Sequence, residues 1–178
     1  EVTLNVNTSF KNYSLRPRKL VVVQQLMDEW GKLVDRWQVE KLTGKEDSLT
    51  VEQSLKLKKN PVRWSVERPY LYTIESVILE NNKVIDRVST PFGFRTINWK
   101  TASHQFMLNA KPVFINGIAE YEHLLGQSHA FSSEQIISRI KWVQSAGFNA
   151  FRDGHQPHNL LYGELCDQRG LLWWTQLS

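Results

Sequence analysis

A single cysteine, Cys166, is present, so no intramolecular disulfide can staple the fold. One thiol leaves the compartment open, because many exported proteins also lack disulfides. Long apolar runs are missing too. Residues 20–23 and 171–174 are strand-sized and far short of the roughly 20 residues a bilayer helix needs. The nine glycines are scattered, so there is no glycine-rich phosphate loop, and no G-x-S-x-G elbow presents a nucleophilic serine. Nor does either sign of charge dominate: 22 Lys+Arg face 18 Asp+Glu, for a formal net charge of +4.

What is present is an ordinary globular composition, 41% hydrophobic and 22% charged over 178 residues, enough for one large domain or two small ones. The basic excess is confined to residues 1–97, which hold 16 Lys+Arg against 12 Asp+Glu; residues 98–178 hold 6 of each and all five histidines. That excess is dispersed along strand-like segments with no nucleic-acid motif around it. A solvated strand face explains it, so neither nucleic acid nor a membrane surface is expected as a partner.

Residues 1–97 read as short β-runs separated by turn residues. Val2, Leu4 and Val6 alternate, residues 20–27 are rich in β-branched side chains, and further runs follow at residues 49–57, 70–79 and 84–88. The first alternating residues look like a strand already under way, with no signal peptide ahead of them. Asn81-Asn82 marks a hairpin, since asparagine tolerates the positive φ of a two-residue primed turn. Pro17, Pro61 and Pro69 fall between runs. This spacing predicts a sandwich, and the length suits seven strands. Trp30, Trp37 and Trp64 are assigned to packing.

After Trp99 the period changes. A hairpin turning at Asn109-Ala110 is expected to deliver a buried strand at residues 113–115. Ser132 and Gln135 form an S-x-x-Q capping box ahead of the helical stripe Ile136, Ile137, Ile140, Val143 and Ala146, on a helix where Trp142 is also assigned to stability; Gly147 terminates it. Strands at residues 148–151 and 171–174 flank a second helix that Asn159 caps and Gly170 stops. Strand, helix, strand, helix, strand with short links predicts parallel βα units. Three strands cannot close a barrel, so this half looks truncated.

Chemistry in such folds gathers beyond the carboxyl ends of the strands. Those positions carry Glu120, Tyr121, Glu122, His123, Arg152, Asp153, His155 and Gln176. No metal site is predicted, because the spacings of His123, His129, His155 and His158 match no zinc motif and Pro157 prevents a helical H-x-x-H. No cofactor is predicted. Cys166 lies mid-helix beside Leu165, where a buried, inert thiol is expected. Glu120 and Glu122 sit two residues apart on one strand end, whereas carboxylate pairs for retaining glycoside hydrolysis normally come from different strands. Arg152 and His155 are the most suggestive: a fixed cation and an imidazole that suit hydroxyls or developing charge. Their structural alternative is an ion pair with Asp153 or a capping role.

The strings RWSVERPYLY, FGFR, FMLNAKPVFING and GFNAFRDGHQPHNLLYGELCDQRGLLWW, in this order and spacing over residues 60–178, resemble glycoside hydrolase family 2, the family of β-galactosidases, β-glucuronidases and β-mannosidases. The resemblance implies an immunoglobulin-like sandwich at residues 1–97 and the first βα units of a (β/α)8 TIM barrel at residues 98–178. The implied parent is a retaining hydrolase of terminal β-glycosides, most similar to β-galactosidases, with a carbohydrate as its partner. Its catalytic glutamates come from later strands, and the acid/base follows an asparagine; no Asn-Glu pair occurs in this sequence. By resemblance, the substrate-binding residues are Arg152, His155, Tyr121, Glu122 and His123, with no catalytic residue and no metal ligand. Arg152 and His155 match an R-x-S-H-Y-P segment in which Gly154 and Gln156 replace Ser and Tyr. Glu122 and His123 match the end of an H-E-H string, and Tyr121 stands where its first histidine would be. Thr175, Gln176 and Ser178 replace the residues of D-E-x-N, and Gln176 removes a carboxylate that binds magnesium in some members. Ala110 takes the place of a turn glycine. The alternative class is a non-catalytic β-sandwich module for interaction or carbohydrate binding.

Overall fold

The alternation of the first residues becomes β1 (Thr3–Lys11), in which Leu4, Val6, Thr8 and Phe10 turn inward and the residues between them face solvent. The structure, a computed structural model, describes residues 2–124, 127–128 and 131–176, with backbone only at Thr101, His123, Leu124, Gln127 and Ser128. β2 (Arg18–Met27), β3 (Leu33–Thr43), β4 (Ser48–Lys56), β5 (Tyr72–Glu80) and β6 (Lys83–Phe92) follow. The chain divides into two compact units, Glu1–Val62 with Tyr72–Phe92, and Arg63–Leu71 with Gly93–Ser178.

In the first unit β1 pairs antiparallel with β4, and a second antiparallel sheet has the order β3-β2-β5-β6. The sheets face each other as a sandwich over Leu20, Val22, Leu26, Val51, Ile74 and Ile78, all buried. Buried Gln24 crosses the gap: its Nε2 donates to Thr8 Oγ1 at 2.8 Å and to Gln53 Oε1 at 3.0 Å, and its Oε1 accepts from Ser76 Oγ at 2.6 Å. Asn81 and Asn82 take φ of 49° and 62° between β5 and β6, the primed hairpin expected.

Two expectations for this half are corrected. Among its described residues the first unit has six strands, not seven. Trp30 is 75% exposed in a turn where Asp28 Oδ1 accepts from the amides of Trp30 and Lys32, so it packs no core. Trp64 is fully buried, but in the second unit, where its Nε1 donates to the carbonyl of Asp167 at 2.7 Å and Arg95 lies over its ring.

The second unit opens with β7 (Ile97–Lys100), β8 (Gln105–Leu108) and β9 (Lys111–Pro112), a small antiparallel sheet. β10 (Gly117–Glu120), the short pair β11 (His123–Leu124) and β12 (Gln127–Ser128), α1 (Ser133–Ser145), β13 (Ala150–Asp153), α2 (Leu161–Arg169) and β14 (Leu172–Trp174) complete it. β10, β13 and β14 form a parallel sheet in that order. The capping box of α1 forms as expected, with Ser132 Oγ accepting from Gln135 N and Gln135 Oε1 from Ser132 N. Gly170 ends α2 at φ 77°. Ile136, Ile140 and Val143 of α1 and Tyr162, Leu165 and Cys166 of α2 pack against Phe151. Trp142 departs from expectation: it is 70% exposed and adds nothing to that core.

The first parallel strand lies later than residues 113–115. Asn149 Nδ2 donates to the Phe114 carbonyl at 2.7 Å and its Oδ1 accepts from Asn116 N at 2.8 Å, so residues 113–116 are held as a loop. Val113 joins Trp64, Phe106 and Leu108 in a separate cluster, and sheet pairing begins only at Gly117 opposite Ala150. Among the described residues no helix is long and apolar enough to cross a membrane.

Candidate functional site

Alternation along the parallel strands sorts their side chains between two faces. Register pairs Ala119 with Arg152 and Arg152 with Trp174 on one face, Glu120 with Asp153 and Phe151 with Trp173 on the other. The second face carries the helices, as the packing of Phe151 and Trp173 shows. The first lines an open cleft of about 520 Å³ that includes Ala119, Arg152 and Trp174, with Trp99 and Phe106.

At the carboxyl ends the rim residues divide in the same way. Arg152 Nη2 donates to Gln176 Oε1 at 2.8 Å, its guanidinium lies 5.6 Å from the Trp174 ring centre, and the backbone N–H of His155 donates to the same Gln176 oxygen at 3.2 Å. The His155 ring sits 5.2 Å from that of Tyr121. Arg152, His155 and Tyr121 therefore gather in one place, and Tyr121 and His155 are exposed. His155 adopts φ 59°, a left-handed conformation that a non-glycine residue holds only when its surroundings fix it. Gly154 is required just before it: its N–H donates to the Glu120 carbonyl at 2.7 Å, and a Cβ there would lie 2.6 Å from that oxygen. The loop therefore has no room for a serine at this position.

The carboxylates serve the scaffold. Glu120 pairs with Arg139 of α1 at 3.0 Å. Glu122, buried, accepts the Asn159 N–H with both oxygens at 3.1 Å. Asp153, fully buried, accepts from Trp173 Nε1 at 2.8 Å and from His158 N at 3.3 Å. Glu120 and Glu122 are thus not a pair poised across a bond. Nor is an Arg152–Asp153 ion pair present among the described residues, which corrects that half of the structural alternative. His123 lies at the start of β11, and its side chain is outside the described residues.

His158 is buried between the rings of Phe151 and Tyr162. Its Nδ1 lies 3.3 Å from Asp153 Oδ1 without the alignment of a hydrogen bond. Burial is the main cause of a pKa below the ordinary value, opposed by Asp153 and Glu122, so the ring is neutral near pH 7. Burial also pushes the Cys166 thiol up to about 12, an inert sulfur as expected. No local pattern marks the Gln176 contacts, because they join residues 24 and 21 positions apart.

Among the described residues no three His, Cys, Asp or Glu side chains gather as a metal site. Gln176 does not fit the part of a magnesium ligand. Both lone pairs of its oxygen are taken by donors, and one of these is a guanidinium that would repel a divalent cation.

The sequence matches the family model described as "Glycosyl hydrolases family 2" over residues 1–95 and that described as "Glycosyl hydrolases family 2, TIM barrel domain" over residues 100–174. It is 38% identical over 122 residues to a β-galactosidase of Alteromonas mediterranea, covering 68% of this chain and 11% of that protein. It is 29% identical over 174 residues to β-galactosidase BoGH2A of Bacteroides ovatus, covering 97% of this chain and 20% of that protein. Among solved structures, a β-glucuronidase of Bacteroides uniformis covalently bound to cyclophellitol-6-carboxylate aziridine superposes with a TM-score of 0.92 over 97% of this chain and 21% of that one, at 21% identity. The chain thus spans about a tenth to a fifth of the length of these relatives.

Proposed function

The chain belongs to glycosyl hydrolases family 2, and from that premise we propose that it is the immunoglobulin-like domain (residues 1–97) and the opening βα units of the catalytic (β/α)8 barrel (residues 98–178) of a longer, retaining, β-galactosidase-like hydrolase of terminal β-glycosides. The observation that carries this reading is the convergence of Arg152, His155 and Tyr121 at the carboxyl ends of parallel strands. There the cation and the imidazole hold the hydroxyls of the reacting ring, and Tyr121 offers it an aromatic edge. Glu122 contributes by fixing the loop through Asn159 N, and His123 joins the subsite on the family resemblance alone.

Retaining hydrolysis needs an acid/base and a nucleophile on opposite sides of the scissile bond. This sequence has no Asn-Glu pair to supply the family acid/base, so the 178-residue chain alone is expected to leave chromogenic β-galactosides, β-glucuronides and β-mannosides intact. The full-length protein should hydrolyse at least one of them. In it, Arg152→Ala should lower kcat/KM about 100-fold or more, the loss expected when a charged contact to the reacting ring is removed. Unchanged kcat/KM in that variant would refute the subsite. A lectin-like module predicts instead that the full-length protein binds these sugars without turnover.

A further inference from the structure

We propose that Gln176 is a positioning residue that locks Arg152 and His155 into a single unit. The inference rests on the subsite reading above and adds a residue to it. One oxygen, Gln176 Oε1, accepts both the Arg152 Nη2 donor at 2.8 Å and the His155 backbone donor at 3.2 Å. Two donors facing one carbonyl fix the amide orientation, since the Nε2 group turned toward them would set donor against donor.

Trp174 of β14 and Gln176 just beyond the strand thereby grip Arg152 from two directions: the amide of Gln176 holds the end of the guanidinium, and the ring of Trp174 covers its face. The same amide anchors His155 in its left-handed conformation. Other bonds hold the loop on either side of His155, through Gly154 N on the Glu120 carbonyl and through His158 N and Asn159 N on Asp153 and Glu122. Among the described residues only Gln176 holds the N–H of His155 itself. Without it, the guanidinium and the imidazole lose their shared reference point.

Among the described residues no carboxylate pairs with Arg152, so the Gln176 oxygen is the acceptor that fixes its guanidinium. What the bracket requires of residue 176 is an acceptor of this reach, so Gln176→Glu retains both bonds whereas Gln176→Ala and Gln176→Met remove them.

The test uses the full-length protein with 4-nitrophenyl β-D-galactoside, β-D-glucuronide and β-D-mannoside, reading kcat/KM on whichever is cleaved, with a thermal melt of each variant. Gln176→Ala should lose about 10- to 100-fold, the scale of a hydrogen bond to a charged group, and Gln176→Glu should stay close to the parent. Gln176→Met, of similar length but without an acceptor, repeats the test should the alanine variant fail to fold. In an Arg152→Ala/His155→Ala background the Gln176→Ala change should cost less than about twofold, because the groups it positions are gone. A loss as large in that background as in the parent overturns the proposal, as does a Gln176→Glu variant as impaired as Gln176→Ala. If Arg152→Ala and His155→Ala have no effect, or no glycoside is cleaved, the subsite reading itself falls and takes the bracket with it.

Discussion

At the centre of the sandwich the buried polar groups are neutral: Gln24 exchanges hydrogen bonds with Thr8, Gln53 and Ser76 across the two sheets. Beneath the parallel strands they include carboxylates: Asp153 and Glu122 are buried as acceptors of Trp173 and of two loop amides, and Glu120 is tied to Arg139. Buried charge costs far more to desolvate than a buried amide, so its presence calls for a return that neutral groups do not give. That return is geometric. Gln24 only stitches two layers together, whereas the carboxylates fix the backbone of residues 153–159, the segment that presents His155.

This contrast is most directly broken at Asp153. Asp153→Ala strands the Trp173 Nε1 and His158 N donors in a buried site, and should cost about 3 kcal/mol in urea denaturation of the chain. In the full-length protein it should also reduce turnover, because the loop is released. Gln24→Leu in the sandwich removes neutral bonds only and should cost about 1 to 2 kcal/mol with no effect on turnover. Equal losses at the two sites would erase the distinction.

Acid should separate the units as well. Burial holds the His158 pKa below its ordinary 6.5, so the unfolded chain takes up a proton that the folded one resists. Stability from the neutral ring is complete above pH 6.5 and is lost progressively as the pH falls through that value toward the lower folded one. The groups facing the ring are Asp153, Glu122, Glu120 and Arg139. His158→Phe should flatten the slope of urea midpoint against pH between 7.5 and 5. The first 97 residues contain no histidine, so unfolding of the sandwich should lack this slope in both proteins. A slope unaltered by the substitution would assign it to other groups.

Legibility followed how local the determinants are. β2 was readable because it is central and buried on both faces, at Val22 and Val23 alike. β3 was not anticipated: it is an edge strand whose Leu33, Val34 and Leu42 are exposed, so no clean alternation marks it. The run at residues 113–115 looked like a buried strand, but the side chain of Asn149, 35 residues away from Phe114, turns it into a loop. In the site, the chemistry of Arg152 and His155 is legible in the sequence, while the bond from Asn159 N to Glu122, 37 positions away, is not. Gln176 read as a missing carboxylate, since acceptance from two distant donors leaves no local pattern.

The smallest effect compares the two hairpins. Both have two-residue turns with positive φ throughout, 49° and 62° at Asn81-Asn82, 52° and 64° at Asn109-Ala110. This is the primed geometry that matches strand twist. Asparagine enters the left-handed region readily, because its short polar side chain can bond locally, but the Cβ of alanine approaches the following carbonyl, at about 1 kcal/mol. The sandwich hairpin is thus relaxed and the second hairpin strained at one residue. Ala110→Gly should therefore stabilise the second unit by up to about 1 kcal/mol, less what glycine returns to the unfolded chain in entropy. Asn82→Gly in the first should change stability by only a few tenths of a kcal/mol. Urea midpoints of the two variants measured side by side would show the difference; a gain at Asn82 equal to that at Ala110 would mean that the strain does not lie in the alanine.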